Sequence, residues 1–129
     1  MMLSKITPVR IVDRIEPCLA FWCDTLGYEK VDEVPHAGTL GFVILAGPGG
    51  TIMFQTRASL AEDLPSVATR KPELVLYAEC TSLDAVKKAL RGAEVLVDER
   101  TTFYGMRETV VVDPQGAIVI FAEKHAAKQ

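Results

Sequence analysis

Two stretches of this chain follow one plan, and that duplication limits what it can fold into. From Phe103 to Glu123 (FYGMRETVVVDPQGAIVIFAE) a β-branched run meets the turn Asp113 to Gly116, and a second apolar run ends in a carboxylate. From Gly41 to Gln55 (GFVILAGPGGTIMFQ) the same order recurs around Gly47 to Gly50 and ends in an amide. Pro and Gly set tight turns between β-branched runs, so each stretch reads as an antiparallel hairpin. The repeat extends upstream. ITPVRIV at Ile6 to Val12 and LVLYAE at Leu74 to Glu79 read as strands, each followed at once by helical spacing. Each half therefore runs strand, helix, strand, strand, strand.

In the first half Ile15, Leu19, Trp22 and Leu26 share one helical face, with Asp13 as the expected N-cap and Gly27 as the helix end. In the second, Thr81 or Ser82 caps a helix whose buried stripe is Leu83, Val86 and Leu90, ending near Gly92. Arg57 to Pro72 carries scattered charge, Pro65 and no sustained period beyond one helical turn in SLAEDL, which predicts a surface connector. His36 to Gly38 and Phe103 to Gly105 are the other expected loops. The expected organisation is a single domain over 1–129, with modules at 5–57 and 73–124 and a connector at 58–72.

A chain of 129 residues, 49% hydrophobic and 24% charged, has the balance of one soluble globular domain. Its net charge of -3 and dispersed Lys and Arg offer no basic patch, which argues against nucleic acid. No apolar run approaches membrane-spanning length, and MMLSKITP lacks a signal-peptide core, so a cytoplasmic location is expected. Cys18, Cys23 and Cys80 are odd in number and lack CxxC spacing; they read as small buried hydrophobes in a reducing compartment. Five positions apart on one helix, Cys18 and Cys23 are expected on different faces. No G-x-S-x-G elbow, P-loop, dinucleotide fingerprint or HExxH helix is present, and GPGG is accounted for by its hairpin turn.

The segments ITPVRIVDRIEPCLAFWCDTLGYEKV, Ile6 to Val31, and YGMRETVVVDPQGAIVIFAE, Tyr104 to Glu123, resemble the vicinal oxygen chelate superfamily. That superfamily includes glyoxalase I, bleomycin-resistance proteins, extradiol dioxygenases and fosfomycin-resistance enzymes. The resemblance spans nearly the whole chain. It implies an α+β fold of two βαβββ modules forming a curved mixed sheet around a cleft, with helices on the convex face, in a homodimer. It leaves chemistry open, because this fold hosts lyases, oxygenases, transferases and binding proteins.

The resemblance also implies metal-ligand positions in the first and last strands of each module. The last-strand positions fall at Gln55 and Glu123, which offer oxygen to a divalent cation; the first-strand positions fall at Pro8 and near Val75, which offer nothing. Two donors hold such an ion weakly, and His125 or His36 would have to complete the set. Without metal, strand parity places Met53 and Thr51 beside Gln55, and Phe121 and Val119 beside Glu123, on one pocket wall. Arg10 shares parity with Pro8, and Tyr77 and Glu79 with Val75. Trp22 is expected mainly in the core. Phe103 and Tyr104, next to Gly105, can stack on a planar ligand or cover a dimer seam. Arg107 is either an anion anchor or a cross-strand partner of Glu99 or Glu108. Glu123, if desolvated, can act as a base or bind an amine.

Together these point to metal-independent binding of a small amphipathic or aromatic molecule, of the antibiotic- or toxic-metabolite-sequestering type, with no cofactor. The ligand contacts are Arg10, Met53, Gln55, Phe103, Tyr104, Arg107, Phe121 and Glu123. The alternative is a metal-dependent glyoxalase-like lyase or dioxygenase using Gln55 and Glu123, or a metal-free reaction with Glu123 as base.

Overall fold

A computed structural model describes residues 2–125, and in it the chain forms two compact α+β units. One runs from Thr7 to Leu74; the other joins the described residues up to Ile6 to those from Val75 onward. Strand β1 (Leu3–Val12) crosses that boundary.

In the first unit β1 leads into helix α1 (Glu16–Leu19) and a π-helical continuation, Ala20–Thr25. Strands β2 (Glu29–His36), β3 (Thr39–Gly47) and β4 (Gly50–Thr56) follow, and the strand order is β2-β3-β4-β1. Strand β4 is antiparallel to β3, as the Pro48-Gly49 turn requires, and parallel to β1, with Val9 opposite Met53 and Ile11 opposite Gln55. Ile15, Val43, Leu45 and Phe54 are fully buried, with Leu19, Trp22 and Tyr28 packed against them. Gly47 makes room for that packing, because a Cβ there would sit 2.6 Å from the Tyr28 ring.

The helix departs from the expected 3.6-residue spacing. The Leu26 N–H donates to the Phe21 carbonyl at 3.2 Å, and that of Tyr28 to Trp22 at 2.9 Å, a wider turn than an α-helix makes. Residues past the widening rotate out of the stripe, so Leu26 is 49% exposed. Cys23 instead joins Cys18 against the same core, which corrects the expectation of different faces. Asp13 does not cap the helix; Ile15 stands at the N-cap position, and the Asp13 carboxylate accepts from Arg57 Nε at 3.1 Å. Gly27, at φ +80°, ends the segment as expected.

The stretch expected as a connector is more ordered than its composition suggested. Helix α2 (Arg57–Asp63) is capped by Thr56, whose hydroxyl accepts from the Ser59 N–H, and α3 (Pro65–Ala68) starts at a proline. Leu60, Leu64 and Val67 are buried, an i, i+4, i+7 stripe masked by the intervening acids and Pro65. His36 closes β2 rather than lying in the loop after it.

The second unit repeats the plan with β5 (Leu74–Cys80), α4 (Leu83–Ala89), β6 (Glu94–Thr101), β7 (Met106–Val112) and β8 (Ile118–Lys124). Its strand order is β5-β8-β7-β6, with β5 parallel to β8 and the rest antiparallel. Of the two expected caps, Ser82 is the one used, accepting from the Ala85 N–H at 3.1 Å. Leu83 and Val86 press onto Cys80 and Phe121, so α4 covers the sheet face that carries those residues. The β7–β8 turn is held by Asp113, whose Oδ1 accepts from the N–H groups of Gln115 and Ala117.

Phe54 is the largest side chain with no exposure. Phe54→Ala should lower the unfolding free energy by about 3–5 kcal/mol, read as a shifted urea midpoint at unchanged slope.

Candidate functional site

The second unit buries one carboxylate, and it is not one that the hairpin pattern singled out. Glu108 on β7 shares its face with Met106, Val110 and Val112, and its side chain has no exposure. Opposite it across the ladder stands Arg100 of β6. The ladder places Val97 opposite Val110, so an unbroken register would set Glu99 against Glu108. One extra residue between Val97 and Arg100 shifts the pairing and puts the guanidinium there instead. Arg100 Nε and Nη2 each reach Glu108 Oε1 at 3.0 Å. The Tyr77 hydroxyl, from β5, donates to Oε2 at 2.6 Å, and the Tyr104 hydroxyl donates to the same oxygen at 2.8 Å. Burial and the neighbouring Glu108 push the Tyr77 phenol well above its ordinary range, so it keeps its proton.

Above this cluster, Phe103 is 83% exposed and meets the Tyr104 ring edge-on, with centroids 5.0 Å apart. The aromatic pair expected from sequence is thus together, and Tyr104 ties it to the buried carboxylate. Tyr77, Arg100, Tyr104 and Glu108 lie on the sheet face away from α4, because Tyr77 registers with Ile120 and Glu108 with Ala122, while Phe121 faces the helix.

Three residues expected on the pocket wall sit on the opposite, helix-covered face. Phe121 packs under α4. Glu123 Oε1 accepts from the Leu83 N–H at 2.7 Å, so its carboxylate meets the first N–H of α4. Arg107 reaches Glu99 at 2.8 Å, Asp84 at 3.1 Å and Glu123 at 3.5 Å. Of its two expected cross-strand partners, it takes Glu99. Counting by twos from Glu123 was sound as parity, but β8 is apolar on both faces and the count could not say which face the helix covers.

In the first unit Met53 and Gln55 do share a face, the one away from α1, with Thr51, Ile44 and Phe42. The Gln55 amide donates to Ser59 Oγ at 3.0 Å. Arg10 registers with Phe54, hence lies on the helix side, and is exposed. Trp22 packs against Phe54 and Tyr28, as expected of a core residue.

As placed, the oxygen and nitrogen donors do not fit a divalent cation. Glu123 is engaged by a helix N–H and Arg107, and His36 Nε2 by Glu62 at 2.7 Å, while Gln55 gives its amide N–H to Ser59 and keeps its carbonyl oxygen as a single neutral donor. Among the described residues no three of His, Cys, Asp and Glu gather into a ligand set. His125 is positioned through its backbone, which donates to the Gly105 carbonyl.

Arg107 and Lys87 hold the Glu99 carboxyl down at about 2, against 4.5 for a free side chain. A depressed folded-state value contributes stability that is complete above about 4.5 and lost as pH falls through about 2. Glu99→Gln should therefore flatten the fall in melting temperature between pH 5 and 2, and a variant that tracks the parent would refute the pairing.

No family model matches the chain, and no curated protein matches it in sequence. Solved structures do match. A glyoxalase/bleomycin resistance protein/dioxygenase superfamily member from Vibrio splendidus 12B01 aligns at TM-score 0.70 and 16% identity, over 92% of this chain and 97% of that one. Methylmalonyl-CoA epimerase from Mycobacterium tuberculosis aligns at TM-score 0.71 and 21% identity, over 98% and 91%. A Streptomyces coelicolor methylmalonyl-CoA epimerase variant in complex with 2-nitronate-propionyl-CoA aligns at TM-score 0.70 and 18% identity, over 97% and 99%. At these identities the likeness is one of architecture: the chain has the vicinal oxygen chelate fold.

Proposed function

We propose that this protein binds a small amphipathic or aromatic organic molecule without a metal, as a cytoplasmic homodimer of the antibiotic- or toxic-metabolite-sequestering type. The observation that carries the proposal is an exposed ring on a fixed mount. Phe103 is 83% exposed, yet its neighbour Tyr104 is hydrogen-bonded to fully buried Glu108. A platform ordered before the ligand arrives loses little entropy on binding, and a planar ring can stack on it. Tyr77 and Tyr104 supply polar atoms beside it to fix orientation. On the first unit, Met53 and Gln55 are proposed contacts on the helix-free face. The homodimer rests on the superfamily resemblance, and the reducing location on three free cysteines.

The competing class is a metal-dependent lyase or dioxygenase acting through Gln55 and Glu123. It has less support here, because the Glu123 carboxylate is already taken by the Leu83 N–H and Arg107, leaving the Gln55 carbonyl oxygen alone.

Calorimetric titration of the purified protein with a panel of planar aromatic drugs should find a ligand whose affinity falls about tenfold in Phe103→Ala, with the melting temperature unchanged. Sedimentation should report a dimer. A stoichiometric metal by elemental analysis, released by Gln55→Ala or Glu123→Ala, would overturn the proposal.

A further inference from the structure

We infer that Tyr77 is a specificity-determining residue that presents only a hydrogen-bond acceptor, and that the ligand is therefore a planar molecule carrying an N–H or O–H donor. The inference rests on the binding function proposed above and names the chemical class it selects. A carboxylate has lone pairs and no hydrogen to give, so both phenols bonded to Glu108 Oε2 must point their hydrogens at it. Tyr77 thereby spends its only donor at 2.6 Å, while no donor among the described residues reaches its own oxygen. Its side chain is half-buried rather than enclosed. The hydroxyl cannot turn to serve a ligand carbonyl without stripping a buried carboxylate of a charge-assisted bond. Ionisation offers no escape either, since the phenol is held above its ordinary range. A ligand ether or carbonyl oxygen facing Tyr77 sets lone pair against lone pair; a ring N–H completes the set. Glu108 acts here as a positioning residue, because it reaches the ligand only through the two hydroxyls.

Indole and benzofuran test this directly, having nearly the same shape and differing in N–H against ring oxygen. Titration followed by protein NMR should show indole bound about tenfold more tightly than benzofuran, with 1-methylindole resembling benzofuran. Tyr77→Phe should bring indole and benzofuran to within about twofold of each other, by weakening indole and relieving the lone-pair repulsion against benzofuran. In Glu108→Gln, whose amide can donate to the phenols as well as accept from them, the preference for indole should shrink. Equal affinity of the parent protein for indole and benzofuran, with both weakened by Phe103→Ala, would overturn the acceptor assignment and leave the binding function standing. Binding of neither probe would overturn both. An unchanged indole preference in a folded Glu108→Gln protein would remove Glu108 from the positioning role.

Discussion

The pairing of Glu108 with Arg100 is the interaction on which the helix-free face of the second unit depends. An ionised carboxyl taken wholly out of water costs several kcal/mol unless charge and hydrogen bonds replace its hydration. Here the replacement is complete, with two guanidinium contacts on one oxygen and two phenol hydrogens on the other. Its source is a single inserted residue. Continuing the Val97–Val110 register without it would bring Glu99 and Glu108 face to face, two carboxylates at a buried position. The bulge exchanges Glu99 for Arg100 and turns Glu99 to the other side, where Lys87 lies 3.0 Å away and Arg107 2.8 Å. The second of two register shifts in β6 thus sends Glu99 and Arg100 to their respective faces.

Those two faces then do different work. On the helix side, Asp84, Lys87, Glu99, Arg107 and Glu123 form a chain of ion pairs that ties α4 to β6, β7 and β8. Every member has a protein partner, and Glu123 also meets the opening N–H of the helix. Such a network holds α4 against the sheet. On the other side, a smaller set of charges is buried and internally neutral, and what it presents outward is aromatic. In this chain the strand-end carboxylate Glu123 is tied to the helix side, and the carboxylate under the exposed ring is Glu108 in mid-strand.

How much of this was legible in the sequence follows from which periodicities survive folding. The duplicated strand and hairpin plan was readable because β-branched runs broken by Pro-Gly and Asp-Pro turns mean the same thing wherever they occur. The helix stripes were readable up to Trp22, and failed at Leu26, where a π-type turn rotates the face. Glu108 carried a usable signal, a charge in phase with Val110 and Val112 on a strand whose residues from Glu108 to Val112 are all buried. Arg100 did not: counting by twos through a bulge sends the wrong residue inward. The face assignment of Glu123 and Phe121 was out of reach for a further reason, since β8 is apolar on both sides and alternation is silent there.

A single exposed phenylalanine needs no explanation, since surfaces carry many apolar atoms. Phe103 differs in the way its surroundings are bound. The Gly105 N–H donates to Thr102, the Thr102 N–H donates to the Met106 carbonyl, and the Met106 N–H returns to Thr102 Oγ1. The His125 N–H takes up the Gly105 carbonyl, and Gly105 itself sits at φ +83°, a conformation that a side chain would disfavour. With the backbone closed on both sides and Tyr104 anchored through its hydroxyl, the turn has few ways to fold its phenyl ring inward. One of these bonds, from Tyr104 to Glu108, also keeps the carboxylate paired. A mutation that loosens the carboxylate should therefore be felt at the aromatic edge before it is felt in the core, because Tyr104 is the link between them.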